Sequence, residues 1–270
     1  MYCAILGSSS AGNSTAIWGH SSTILVDCGL APRLIAARLH SIDPRIPPIS
    51  GILITHIHGD HINPQALKHF LQKGIPVLLP RKIAKLLERR FDFFRTARDR
   101  NLVRESSGAG VMTGEFEIRS FPVPHDSPGG CYGYVVRGGA GSRRRSIAIA
   151  TDFGYPPDGL QEIFADKDVF IIESNHDSRM LEDSNRSQSL KQRIREVGHL
   201  SNSQCAEFVV SACRSSLRPP GAVILAHISQ ECNTPGLAID CTRAALREGG
   251  FPDVDLSAAF PNRVSRIIEV

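Results

Sequence analysis

No apolar run in this chain approaches the ~20 residues needed to cross a bilayer. Met1 to Ser10 has neither the basic start nor the apolar core of a signal peptide. Both absences lead to the expectation of a cytoplasmic protein with no membrane partner. There is no C-x-x-C pair either. The seven cysteines, at 3, 28, 131, 205, 213, 232 and 241, are odd in number and scattered. They do not read as a disulfide framework or a zinc knuckle, which leaves buried free thiols as the expectation. Low-complexity linkers and internal repeats are missing as well, so one domain over residues 1–270 is expected. With 41% hydrophobic and 21% charged residues, the composition argues against a disordered chain, a coiled coil or a fibre.

What charge there is lies unevenly. The formal net charge is +4, yet Arg81 to Arg104 holds nine Lys or Arg against three acids, a local +6 that leaves −2 for the remainder. Two readings stand: a surface for a phosphate-bearing partner, or an ordinary solvated helix face. The apolar spacing predicts an antiparallel meander over Tyr2 to Leu6, Thr15 to Trp18 and Thr23 to Val26, then a helix over Pro32 to His40. Gly51 to Thr55 reads as a buried strand, Pro64 to Lys73 as a helix, Pro76 to Leu79 as a strand, and Arg81 to Arg98 as one long basic helix carrying Phe91, Phe93 and Phe94. Further strands are expected at Phe116 to Val123, Gly133 to Arg137, Ile147 to Thr151, Val169 to Glu173 and Ala222 to Ala226. Gly138 to Arg145 reads as an exposed hairpin loop. Helices are expected over Ser189 to Val197, Ser203 to Arg214 and Leu237 to Glu248. Strands and helices thus alternate in two comparable halves.

The strongest chemical signal is His56, His58, Asp60 and His61, four metal-competent side chains within six residues on a loop at a strand end. Alternate histidines on a turning loop can share one cation, while the adjacent Asp-His pair can hold a second. One loop does not fill two coordination shells. His125, Asp152 and His227, each at or near the end of an expected strand, can supply the rest. Taken singly, a strand-end His is an ordinary satisfied residue and an Asp there is a helix cap. Together they form a candidate dinuclear site for Zn²⁺, Mn²⁺ or Fe²⁺.

With this ligand pattern the chain resembles the metallo-β-lactamase superfamily, whose H-x-H-x-D-H loop stands here as His56 to His61. The likeness narrows to the YycJ/WalJ-like exonuclease group through six ordered blocks: Gly7-Ser-Ser-Ser-Ala-Gly-Asn-Ser-Thr15, Val26-Asp-Cys-Gly29, Thr151-Asp-Phe-Gly-Tyr155, Glu173-Ser-Asn-His-Asp177, Gly198-His-Leu-Ser-Asn202 and His227-Ile-Ser229. The resemblance implies an α+β fold, the four-layer αββα sandwich. It implies a first divalent cation on His56, His58 and His125, a second on Asp60, His61 and His227, and Asp152 bridging. The group commonly has a further acid shortly after the His at 125, where Ser127-Pro-Gly-Gly-Cys131 stands here, and a Glu and a Ser at the positions of Ile57 and Gly59. Those departures point to tuning of substrate or metal preference.

The implied activity is that of a metal-dependent phosphodiesterase, a 5′ to 3′ exonuclease on double-stranded DNA with a link to mismatch repair. A metal-bound hydroxide would attack phosphorus in line, with Asp60 orienting it. His176 is the candidate proton donor of the cleft or else a loop-stabilising histidine. Asp27 is read as the acid that orients the histidine loop, against a plain turn residue. Gly7 to Thr15 is either a hairpin turn or a run of backbone N–H groups facing an anion. His199, with Ser201 and Asn202 at a helix start, forms a candidate phosphate site beside the safer helix-cap reading. Lys85, Arg89 and Arg90 are the candidate DNA contacts, while His20, His40 and His69 read as surface residues. Two alternatives remain open. One is a phosphodiesterase for a small molecule or cyclic nucleotide, which needs the metals without the basic helix. The other is a regulatory nucleic-acid-binding protein linked to two-component signalling.

Overall fold

The computed structural model describes residues 1–106, 108–139, 141 and 144–270. Its first half runs β1 (Tyr2–Gly7), β2 (Ser14–Trp18), β3 (Thr23–Val26), α1 (Pro32–Ile42), β4 (Ile49–Leu53), α2 (Pro64–Gln72), β5 (Val77–Leu79), α3 (Arg81–Arg90), α4 (Asp92–Asp99) and β6 (Val103–Glu105). The second half runs β7 (Val111–Thr113), β8 (Phe116–Val123), β9 (Cys131–Gly138), β10 (Arg145–Ala150), α5 (Leu160–Phe164), β11 (Val169–Glu173), α6 (Ser178–Asp183), α7 (Gln188–Arg193), a π-helical turn (Ile194–Gly198), α8 (Asn202–Arg214), β12 (Ala222–Ala226), α9 (Pro235–Glu248), β13 (Asp255–Ala258) and β14 (Ile268–Glu269). The six strands of the first half, joined by β14 from the end of the chain, build one seven-stranded sheet, and β7 to β13 build the other, in the orders β14-β1-β2-β3-β4-β5-β6 and β13-β12-β11-β10-β9-β8-β7.

Alternation along the strands sorts the side chains into three apolar layers. Cys3 and Ile5 of β1 join Ile24, Leu53, Ile147, Ile171 and Ile224 between the two sheets. Ala4 and Leu6, one residue out of step, face the opposite side with Leu67, Ile83, Leu87 and Phe94 from α2, α3 and α4. On the far face of the second sheet, Phe170 and Ile172 pack with Phe164, Phe208 and Val209 from α5 and α8. Three apolar layers separate four structural ones, so the architecture is the α+β, αββα sandwich.

The meander over β1 to β3 is antiparallel, and β4 then joins β3 in parallel. The expected single helix over Arg81 to Arg98 is instead two, broken at Phe91, whose backbone is extended at φ −134° and ψ 119°. Arg90, the last residue of α3, is exposed, and beyond the break α4 packs Phe94 and Ala97 inside. The expected helix at Ser189 to Val197 divides into α7 and the π turn. Strands β6, β7, β13 and β14 and helices α5 and α6 are too short to leave a periodic signature. Gly138 pairs with Arg145 across the expected hairpin, whose residues 140, 142 and 143 lie outside the described residues. Six cysteines are buried and all seven are free thiols. Among the described residues, no helix is long and apolar enough to cross a membrane.

Candidate metal centre

Strands β8, β10, β11 and β12 run the same way, as do β3 and β4, and the candidate residues stand just beyond their carboxyl ends. One edge of the sandwich therefore collects side chains from both sheets. Of the five non-glycine residues with positive φ among the described residues, three are Asp27, Asp152 and His227, at φ 63°, 61° and 52°. Each sits where a strand stops, and the left-handed backbone turns its side chain into the edge. The histidine loop is seated by close backbone approach. Gly29 lies so near the loop that a Cβ there would come within 1.7 Å of Asp60 O, and Asn13 N–H donates to the same carbonyl at 2.7 Å.

Hydrogen bonds fix which nitrogen of each ring faces inward. Asp27 accepts from Thr55 N at 2.9 Å, from Thr55 Oγ1 at 2.8 Å and from His61 Nδ1 at 2.7 Å. With its proton given to Asp27, the Thr55 hydroxyl receives His56 Nδ1–H at 3.0 Å. His125 Nδ1–H donates to Gly198 O at 3.0 Å, and His227 Nδ1–H to Glu173 Oε1 at 2.9 Å. The Nε2 lone pairs of His56, His61, His125 and His227 are left to converge. His58 Nδ1 lies 3.1 Å from His56 Nε2 and 3.3 Å from His125 Nε2, a three-nitrogen set. A second set comprises Asp60, His61, Asp152 and His227, and both have ligating atoms within 4.8 Å of one another.

The donor chemistry fits a cation. Asp152 Oδ2 is buried without a hydrogen-bond partner and stands 3.1 Å from His61 Nε2. With His61 neutral, two lone pairs would face each other, an arrangement that a divalent ion or a proton must relieve. Without metal, protons take that place. Burial lowers the pKa of His61 and His227, but Asp152 outweighs it, helped by Asp27 at His61 and by Asp60 and Glu173 at His227. His61 rises well above its ordinary value and His227 to about 10. Burial raises Asp152, yet the charges of His227 and His61 hold its carboxyl well below the usual range, and Asp60 is likewise depressed. In the three-nitrogen set burial dominates: His56 and His58 are both lowered, so their rings are neutral and ready to ligate. Cys131, with Sγ 3.6 Å from His56 Nδ1, is raised well above 9 by burial and stays a neutral thiol.

A cleft of about 250 Å³ opens over both sets, and His199, Arg186, Leu190 and Arg193 also line it. Arg186 is paired with Glu231 at 2.7 Å and Arg193 with Asp126. The π turn that follows Arg193 carries Gly198 O, the acceptor of His125, while Gly154 packs so closely on Val197 that a Cβ would lie 2.5 Å from its backbone. A π turn at a site commonly has this positioning use.

Other candidates fall elsewhere. His176 is 2% exposed, does not line the cleft, and has no partner for Nδ1. Ser201 is the N-cap of α8, locked in a reciprocal capping box with Gln204. Asn202 bonds to Ser174 and Asn233, so neither side chain is offered to the cleft, whereas His199 is. The Gly7 to Thr15 segment is a brace: the N–H groups of residues 8, 9, 11, 12 and 13 bond within the chain, and Ser8 Oγ accepts from His227 N at 2.8 Å. This excludes the anion-facing reading for those groups. Lys85, Arg89 and Arg90 are exposed on α3, apart from the cleft lining. Of the other cations between Arg81 and Arg104, Arg95 and Arg98 pair with Asp92 and Glu88, and Arg104 lies on β6.

Sequence reasoning gave no role to Glu173. It is fully buried, accepts from His227 Nδ1 and from His199 Nδ1 at 2.7 Å, and also takes the Phe153 and Leu200 N–H groups at 3.2 Å. Burial raises its pKa, but His199 and His227 bring it below the ordinary value. The available signal was an acid ending the apolar strand Val169–Glu173. Asn13, whose Nδ2 lies 3.1 Å from Asp60 Oδ2 and from His61 Nε2, was missed as well.

Comparison with known proteins agrees with this geometry. The family described as Beta-lactamase superfamily domain matches residues 22–228. Exodeoxyribonuclease YycJ of Bacillus anthracis is 30% identical over 253 residues, covering 93% of this chain and 91% of that protein. Exodeoxyribonuclease WalJ of Streptococcus pneumoniae is 29% identical over 235 residues, covering 87% and 84%. The crystal structure of the metallo-β-lactamase fold protein YhfI from Bacillus subtilis superposes with a TM-score of 0.69 at 15% identity, over 100% of this chain and 99% of that one. With its αββα layers, its histidine loop at the sheet edge and these relatives, the chain belongs to the metallo-β-lactamase superfamily of metallo-hydrolases, in the YycJ/WalJ-like group.

Proposed function

We propose that this protein is a cytoplasmic exonuclease that degrades double-stranded DNA from the 5′ end, using two divalent metal ions, Zn²⁺ or alternatively Mn²⁺ or Fe²⁺. The observation that carries the reading is the pair of ligating sets under one cleft that also receives two arginines. His56, His58 and His125 would hold one ion, Asp60, His61 and His227 the other, and Asp152 would face both. Ions bound there supply Lewis-acid activation of water and neutralise charge on the phosphoryl oxygens. The chain's own groups do the remainder. Asp60, the more exposed of the two ligating acids, accepts a hydrogen bond from the attacking water and aims it at phosphorus. Arg186 and Arg193 exchange their carboxylate partners for phosphate oxygens. His199, held at Nδ1 by Glu173, presents its other nitrogen to the cleft, where it takes the proton that the attacking water loses and passes it to the leaving oxygen, the part that His176 is not placed to play.

The relatives named as exodeoxyribonucleases support DNA as substrate. A cleft of about 250 Å³ also suits a small diester, which keeps the small-molecule phosphodiesterase as the second reading. The deciding experiment incubates metal-loaded protein with duplex DNA labelled at either end, with a small aryl phosphodiester in parallel. Mononucleotides released first from the 5′ end, and abolished by chelator, are expected. Release from the 3′ end overturns the polarity, and turnover of the small diester alone overturns the nuclease reading.

A further inference from the structure

We propose that a second cavity, on the other side of the histidine loop from the metal cleft, seats a nucleobase of the substrate strand, stacked on Phe91 and steadied by Arg90. The proposal rests on the nuclease reading and specifies how the strand is gripped. The cavity measures about 460 Å³ and is lined by Ile57, Gly59, Gln65, Leu87, Arg90 and Phe91 among others. Its size lies within the range of small-molecule sites, ample for one nucleoside.

Continuity with the metal centre comes from the loop itself. His58 and Asp60 line the cleft, while Ile57 and Gly59, alternating with them, line the cavity. A strand whose phosphate lies over the ligands therefore has an adjoining recess within the same few residues. Gly59 leaves that recess open, since a Cβ placed there meets nothing within 4 Å.

The wall opposite comes from the interruption between α3 and α4. Phe91, extended at the break, is only partly buried, and its ring stacks on Phe93 at 5.1 Å with an interplanar angle of 24°. Arg90 Cζ lies 5.2 Å from the Phe91 ring centroid. An aromatic pair with a guanidinium close by, beside the exposed cations Lys85 and Arg89, is the combination that binds single nucleic-acid strands: stacking for the base and positive charge for the backbone. A purely apolar partner would leave Arg90 and Gln65 without use, and a phosphate alone would leave Phe91, Leu87 and Ile57 without use. A nucleotide uses both.

The test is a coupling experiment. Wild type, Phe91→Ala, Phe91→Leu and Arg90→Ala, each loaded with Mn²⁺ or Zn²⁺, are assayed on a 5′-phosphorylated duplex. They are also assayed on duplexes in which each nucleotide flanking the first scissile bond is abasic in turn. Stacking of one base on an aromatic ring corresponds to roughly 5- to 160-fold. Wild type should lose that factor in kcat/KM, chiefly through KM, when the seated base is missing. Phe91→Ala should lose a similar factor on the intact strand and nothing further on the abasic one. Arg90→Ala should lose less, and Phe91→Leu, which keeps apolar bulk for folding, should fall between. Penalties that multiply independently, or Phe91 variants that digest intact duplex like wild type, overturn the subsite while leaving the nuclease reading standing. A wild-type protein that digests no DNA overturns both.

Discussion

Loading the metal-free protein with divalent ions should release about two protons per chain near neutral pH, because the second ligating set is occupied by protons when no metal is present. The count follows from the geometry. His61 and His227 keep their Nδ1 protons on Asp27 and Glu173, so the proton each imidazolium must surrender is the one on Nε2, the atom that faces Asp152. Both pKa values are raised, His227 to about 10, whereas His56 and His58 are lowered and have nothing to give up. At pH 7 the His227 proton alone opposes metal binding by about 4 kcal/mol, three units at 1.36 kcal/mol each. Apparent affinity for the second ion should therefore climb steeply with pH until His227 has titrated.

The same shift sets the sign of the stability change. A histidine whose folded-state pKa lies above its unfolded value contributes stability that is complete below about 6.5 and lost as pH rises through the folded pKa. Chelator-treated protein should thus lose melting temperature between about pH 6.5 and 10, while the metal-loaded protein gains over the lower part of that window as proton competition fades. Calorimetric titration of the metal-free chain in buffers of different ionisation enthalpy reads the proton count directly. A count near zero, or a chelator-treated melting temperature that is flat across the window, would refute the assignment of His61 and His227 as the protonated pair.

Asp152→Ala should cost more activity than the roughly 100-fold upper range for losing an outer partner of a ligand, because it strips the buried carboxylate facing both His61 and His227; near-normal metal content and turnover would remove Asp152 from the site. Glu173→Gln should lower metal affinity about 10- to 100-fold by loosening His227. Excess metal should recover that loss, yet leave a residual fall in kcat from His199, and full recovery would deny His199 its proton-donating part. Neutralising Lys85, Arg89 and Arg90 together should weaken duplex binding and flatten the slope of log affinity against log salt by about two to three; an unchanged slope would return α3 to the status of a solvated face.

The alternation of strands and helices in two halves was legible because apolar runs stop at polar residues, Val169 to Ile172 at Glu173 and Ala222 to Ala226 at His227, and the expected bounds Val169–Glu173 and Ala222–Ala226 coincide with the observed strands. The ligand types were legible because four of them crowd into six residues. Packing was not. The break at Phe91 leaves the apolar spacing of Ile83, Leu87 and Phe94 helical throughout, so helical periodicity does not show it. The edge strands Val103–Glu105 and Ile268–Glu269 are held by their neighbours in the sheets, and runs so short carry no pattern of their own.

The site's inner geometry was hidden for a related reason. Nothing in the letters marks Asp27, Asp152 and His227 as left-handed, because the strain each holds is local while the contacts that impose it are remote: Thr55 for Asp27, His61 for Asp152, Ser8 and Glu173 for His227. Glu173 is the extreme case. Its carboxylate sits in the middle of four donors, two from histidine rings and two from backbone N–H groups of loops that end near residues 153 and 200. Those loops meet only because β10, β11 and the turn before α8 close on the same edge. A buried acid so fully satisfied costs little to keep charged, and it fixes the Nδ1 protons of both His199 and His227 on the side away from the cleft. On the proposed reading one residue would thereby prepare one histidine to receive a metal ion and another to part with a proton, a division of labour that depends on which ring faces which, an arrangement that the letters of the sequence do not carry.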